Sequence, residues 1–165
     1  MTVRTRLAEV EAPGLMAGYL DTLALVERLH RLMLDVVKDE FERLGLREIN
    51  PVQALLLFNI GENEVTAGEL KTRGYYQGSN VSYNLKKLVE LGYMHHQRSE
   101  TDRRSVRVRL TARGREVRAV VGALFGRHAE ALDGHATLTP AAVAGVNDTL
   151  RRLERFWAEQ IRYIY

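Results

Sequence analysis

Residues 105–110 read Ser-Val-Arg-Val-Arg-Leu, apolar at Val106, Val108 and Leu110, whereas apolar residues in the long segments on either side recur every three or four positions. A period of two belongs to a strand with one buried face, and a period near 3.6 to a helix with one buried stripe. The fold class is therefore mainly α with a small β-hairpin. Residues 93–97 form the other strand and residues 98–104 a charged turn between them. The hairpin turns Arg107 and Arg109 outward and carries Asp102, Arg103 and Arg104 at its tip.

Ahead of the hairpin, Ser79 opens a helix with the apolar stripe Val81, Leu85, Leu88, Val89 and Leu91, stopped by Gly92. Its opposite face holds Asn80, Tyr83, Asn84 and Lys87, groups able to exchange hydrogen bonds with base edges rather than the Glu/Lys mixture of a merely solvated helix. A short helix precedes it, opened by Thr66 with Glu69 in a capping box and ending near Gly74, ahead of the turn at residues 74–78. Asn50-Pro51, a cap followed by proline at the first helical position, opens the helix 52–60, and Gly61 closes it.

Longer helices flank this set. The first spans residues 19–44, with Leu25, Leu29, Leu32, Val36, Val37, Phe41 and Leu44 in steps of three and four. At about 1.5 Å per residue it is roughly 40 Å long, more than one small core covers. Thr111 caps a helix whose Val117, Val121, Leu124, His128 and Leu132 share a face, fraying near Gly134. Thr139-Pro140 starts the last helix, with a heptad-like seam of Val143, Val146, Leu150, Leu153, Trp157 and Ile161. The expected organisation is a loosely ordered arm at 1–18, helical dimerisation regions at 19–48 and 112–165, and a winged helix-turn-helix domain at 49–111.

Charge is segregated. Residues 71–118 contain 12 Lys plus Arg against 4 Asp plus Glu, a local +8, and the remainder holds 12 against 17, or −5. Such asymmetry points to a nucleic-acid-facing segment on an acidic scaffold; a merely solvated basic face is the plain alternative. The absence of cysteine excludes disulfides, iron-sulfur clusters and thiol chemistry. No nucleophile elbow, phosphate-binding loop or His-Glu-x-x-His motif is present, so an enzyme is not expected. Neither is a cofactor. Adjacent His95 and His96 fall on opposite faces of a strand, and His30, His128 and His135 lack metal-ligand spacing, so no metal site is expected. Phe156, Trp157, Tyr163 and Tyr165 suit a dimer core better than an aromatic ligand pocket. With no apolar run near the roughly 20 residues needed to span a bilayer, and no signal peptide, the expected location is the cytoplasm, away from membranes.

Short helix, turn, polar-faced helix and arginine-tipped hairpin make a helix-turn-helix with a wing. Residues 79–88 with Gly92-Tyr93, and the run Thr101-Asp102-Arg103-Arg104-Ser105-Val106-Arg107-Val108-Arg109-Leu110-Thr111-Ala112-Arg113-Gly114, resemble the MarR family of transcriptional regulators. The resemblance implies a triangular homodimer, its first and last helices interlocked and two winged domains projecting to an inverted-repeat operator in duplex DNA. On that footing Ser79, Asn80, Tyr83 and Asn84 read the major groove, Lys87 meets phosphate, and Arg103 or Arg104 enters the minor groove. Asp102 orients a neighbouring arginine, and Arg107 adds to the DNA face. The segment Gly74-Tyr75-Tyr76-Gln77-Gly78 departs from the common family turn and brings Tyr75 or Tyr76 toward the phosphate backbone, packing between helices being the plainer role, more so for Tyr75 than for Tyr76. The resemblance further implies a repressor released by a small aromatic or apolar effector, with His30, Arg31, Leu34 and Phe58 as candidate lining residues. A sequence-nonspecific architectural DNA-binding protein is the alternative reading.

Overall fold

The computed structural model describes residues 14–72, 78–98, 100, 106–134 and 138–164. In chain order the elements are α1 (Leu15–Arg43), α2 (Pro51–Ile60), β1 (Val65–Thr66), α3 (Ala67–Thr72), α4 (Gly78–Glu90), β2 (Met94–Arg98), β3 (Val106–Leu110), α5 (Ala112–Asp133) and α6 (Pro140–Ile164). They divide into two compact units, one running up to Arg118 and the other from Ala119. The tip residues Asp102, Arg103 and Arg104, together with Tyr76 and His135, lie outside the described residues.

Helix ends follow the capping rules. Asn50 Oδ1 accepts from the Gln53 backbone N–H at 2.8 Å and Gln53 Oε1 accepts from the Asn50 N–H at 3.0 Å, a reciprocal box that fixes the start of α2. Thr66 and Glu69 form the same box ahead of α3, at 2.9 and 3.1 Å. At the end of α4 the Tyr93 N–H donates to the Leu88 carbonyl and that of Gly92 to Val89, with Gly92 at φ 81°, so the helix closes on a left-handed glycine. This explains why β2 begins at Met94 rather than at residue 93. The Tyr93 amide is already committed to the helix it follows.

The first unit keeps its core under a three-stranded antiparallel sheet of order β1-β3-β2. The hairpin expected from sequence thus gains a third strand, β1, pairing Val65 with Val108 and Thr66 with Arg107. Val37 and Phe41 of α1, Leu55, Leu56 and Leu57 of α2, Leu70 of α3, Val81 and Leu88 of α4, and Val108 of β3 are all buried. By sheet register, His95, Gln97, Arg107 and Arg109 occupy one face, and Met94, His96 and Val108 the other. The arm expected to reach residue 18 is corrected: α1 begins at Leu15, because Met16 and Leu20 extend its apolar spacing backward. In the second unit Val121 and Leu124 are buried, and Thr139 caps α6 through its hydroxyl, which accepts from the Ala142 N–H at 3.2 Å.

Candidate nucleic-acid interface

Burying Val81, Leu85 and Leu88 leaves the other side of α4 in solvent, where Asn80, Tyr83, Lys86 and Lys87 are exposed and Tyr83 retains 67% of its surface. Ser79 stands in the first turn of the helix, its side chain outside the described part. The expected reader Asn84 is corrected. It is buried, its Oδ1 accepting from Gln53 Nε2 at 3.2 Å and its Nδ2 donating to the Asn80 carbonyl at 2.9 Å. Its helical angle explains the error: one turn beyond Asn80, it is rotated toward Leu88 and Val81, at the margin where the polar face meets the core.

On the sheet, Arg107 and Arg109 are exposed as expected. Arg107 also holds Glu64 at 3.4 Å, and further back Arg113 holds Glu48 at 2.8 Å and Arg118 holds Glu62 at 3.1 Å. All three carboxylates come from outside residues 71–118, so the local +8 less these three charges leaves +5 for a polyanion. Among the described residues of the segment, Lys86, Lys87, Arg98 and Arg109 have no acidic partner.

The joint behind α4 was not visible in the sequence. Tyr93 Oη donates to Glu48 Oε2 at 2.6 Å, and Arg113 Nη2 donates to the same oxygen while its guanidinium lies 4.6 Å from the Tyr93 ring centroid. Arg113 Nη1 also donates to the Leu91 carbonyl at 2.9 Å, and Thr111 Oγ1 to that of Gly92 at 2.7 Å. The Tyr93 hydrogen bond, followed by Arg113, holds the Glu48 carboxyl below its ordinary range. Burial, then Glu48, pushes the Tyr93 phenol up. Gly114 completes the joint, since a Cβ there would collide with the Tyr93 carbonyl oxygen. The end of α4 is thereby tied to the α1–α2 loop and to the start of α5.

A cleft of about 830 Å³ opens beside the exposed face of α4, lined among others by Lys38, Phe41, Arg47, Ile49, Gln53, Tyr83 and Lys87. None of the expected effector residues lines it: His30 and Arg31 are exposed on α1, and Leu34 and Phe58 are half-buried on α1 and α2. His95 and His96 lie on opposite strand faces, paired with Arg109 and Val108.

A buried-stripe helix presenting amide, phenol and ammonium groups beside an arginine-bearing antiparallel sheet defines a winged-helix DNA-binding protein, and residues 49–114 match the family described as Winged helix DNA-binding domain. The chain belongs to the MarR family of DNA-binding transcriptional regulators. It is 36% identical over 148 residues, 90% of this chain and 76% of the relative, to the exopolysaccharide II synthesis transcriptional activator ExpG of Rhizobium meliloti strain 1021. Its fold is similar to a putative MarR family regulator from Listeria monocytogenes complexed with 26mer DNA, at TM-score 0.72 and 19% identity, covering 86% of this chain and 92% of that one. It is also similar to Staphylococcus aureus MarR in complex with salicylate and kanamycin, at TM-score 0.68 and 17% identity, covering 86% and 93%. The relatives are regulators, not enzymes. Among the described residues, no helix is long and apolar enough to cross a membrane.

Proposed function

We propose that this chain is a homodimeric, sequence-specific regulator acting on an inverted-repeat operator in cytoplasmic DNA. The observation that carries the reading is α4, which buries its apolar stripe and leaves Asn80, Tyr83 and Lys87 in solvent. Asn80 and Tyr83, with Ser79, read the major groove; Lys87 and Arg109 meet phosphate; Arg103 or Arg104 enters the minor groove, oriented by Asp102. Arg107 and Tyr76 add backbone contacts. Dimerisation is supported by α1 and by α6, each taken by itself: Leu20 and Leu25 on the one, and Val146, Trp157 and Ile161 on the other, stay exposed on the single chain, apolar stripes that a second copy would cover. Half-site centres about 10 base pairs, one helical turn, apart are then expected.

For the sign of regulation, the activator relative favours activation over the repression that operator blocking suggests. A small anionic aromatic effector is seated in the α1–α4 cleft, where Lys38, Arg47 and Lys87 supply positive charge and Phe41, Ile49 and Tyr83 apolar surface. Salicylate is the first compound to try, since a similarly folded regulator is held with it.

The test is selection from a duplex library randomised over roughly 24 base pairs, with sedimentation of the complex. A palindromic consensus bound by two chains supports the reading, and equal retention of all duplexes makes the protein an architectural binder instead. Transcription in vitro from a promoter bearing the selected site reads the sign, with and without salicylate.

A further inference from the structure

The network around Asn84 runs without a break from the cap of α2 to the recognition surface. Asn50 and Gln53 cap each other, Gln53 Nε2 donates to Asn84 Oδ1 at 3.2 Å, and Asn84 Nδ2 donates at 2.9 Å to the carbonyl of Asn80. Gln53 and Asn84 retain only 5% and 8% of their surface. Every amide oxygen accepts and every amide nitrogen donates, so neither side chain can turn over without setting like against like.

Apolar packing alone leaves a helix some freedom to roll on its neighbour, because dispersion contacts are numerous and non-directional. A buried hydrogen bond is directional, and its loss leaves an unsatisfied group in a place water does not reach. The Gln53–Asn84 bond is positioned to remove that freedom. It joins α2 to α4 across 31 residues of sequence, at the edge of the apolar stripe nearest the exposed face. Asn80 lies one turn away on that edge, and Tyr83 is the residue before Asn84.

We infer that Gln53 and Asn84 are positioning residues for sequence recognition: their amide bond sets the roll of α4, and hence the direction in which Asn80 and Tyr83 project into the major groove. The inference rests on the sequence-specific reading proposed above. Since one degree of roll displaces every reader together, the pair governs discrimination between sites more than affinity for DNA as such.

The test replaces both partners at once with apolar groups of similar volume, Gln53→Met with Asn84→Leu, because removing both ends of the Gln53–Asn84 bond leaves neither of its amides facing a lost partner; the Asn50 N–H at the α2 cap also loses its acceptor, a local cost that melting reads. The wild-type chain first selects its consensus from the randomised library. Affinities for that consensus and for a scrambled duplex are then compared at one fixed ionic strength. In the double variant the preference for the consensus falls about tenfold, the order of one lost base contact, while scrambled-duplex affinity stays within about twofold. Asn84→Asp is the second variant: it keeps the acceptor for Gln53 but sets a carboxylate against the Asn80 carbonyl, and it lowers the preference in the same sense. An undiminished preference in a folded variant overturns the inference, as does an equal loss on both duplexes. If the double variant shows no cooperative melting, Asn84→Asp decides. Failure of the wild-type chain to yield any consensus defeats the function reading itself, a result distinct from all of these.

Discussion

In α4, Val81 and Leu88 are fully buried, whereas in α6 Val146, Trp157 and Ile161 are each about half exposed, although both helices carry their apolar residues on one side at three-and-four spacing. Helix α1 shows the contrast within itself: Val37 and Phe41 near its C-terminus are buried, and Leu20, Leu25, Leu29 and Leu32 before them are not. Amphipathic spacing specifies which face seeks cover, but not which chain provides it. The winged elements find it within their own sequence, while α6 and most of α1 leave their apolar residues exposed, the observation behind the proposed dimer.

That contrast can be broken most directly at its covered end. Leu88→Ala in α4 is expected to cost about 2–5 kcal/mol, the usual range for truncating a fully buried leucine, read by urea unfolding. On the uncovered side, Trp157→Ala is expected to weaken self-association by about 2 kcal/mol or more, roughly thirtyfold in dimer dissociation by sedimentation equilibrium. An unchanged dimer would show that α6 is covered in some other way. Tyr83→Ala should leave melting within about 0.5 kcal/mol, as for an exposed site, yet lower affinity for the selected operator by about 1–3 kcal/mol. The smallest effect is expected at Glu48. Its carboxyl binds protons less readily folded than unfolded, so its contribution is present above the ordinary carboxylate range and is lost as pH falls through the lowered folded value. Glu48→Gln should therefore flatten the acid side of the melting-temperature profile and leave the neutral side nearly parallel to wild type.

How much was legible in the sequence follows from the range of the interactions. Helix positions and their caps at Asn50, Thr66 and Thr139 are local, and the residues that make them lie within one turn of each other. The exposed face of α4 was legible at Asn80, Tyr83 and Lys87 for the same reason. Asn84 was not, because its burial depends on Gln53, and a helical wheel drawn on α4 cannot show α2. β1 escaped because two residues are too few to display a period. The Tyr93–Glu48 and Arg113–Glu48 contacts join residues 45 and 65 positions apart, a separation at which spacing carries no signal.

The ion pairs of Arg107, Arg113 and Arg118 have a consequence for mass action. An arginine already facing a carboxylate displaces few condensed cations when a duplex arrives, because its charge is answered from within the protein. The entropy that drives binding comes from cations released off the phosphates by groups still unanswered, each contributing about 0.9 to the slope of log affinity on log salt concentration. Counting all 12 basic residues of the segment would forecast a slope near −11, on the scale of about 0.9 each. Three carboxylates paired within the protein are expected to make that slope shallower, and a grip that fades slowly as salt rises would leave the choice of site to the proposed readers Asn80 and Tyr83.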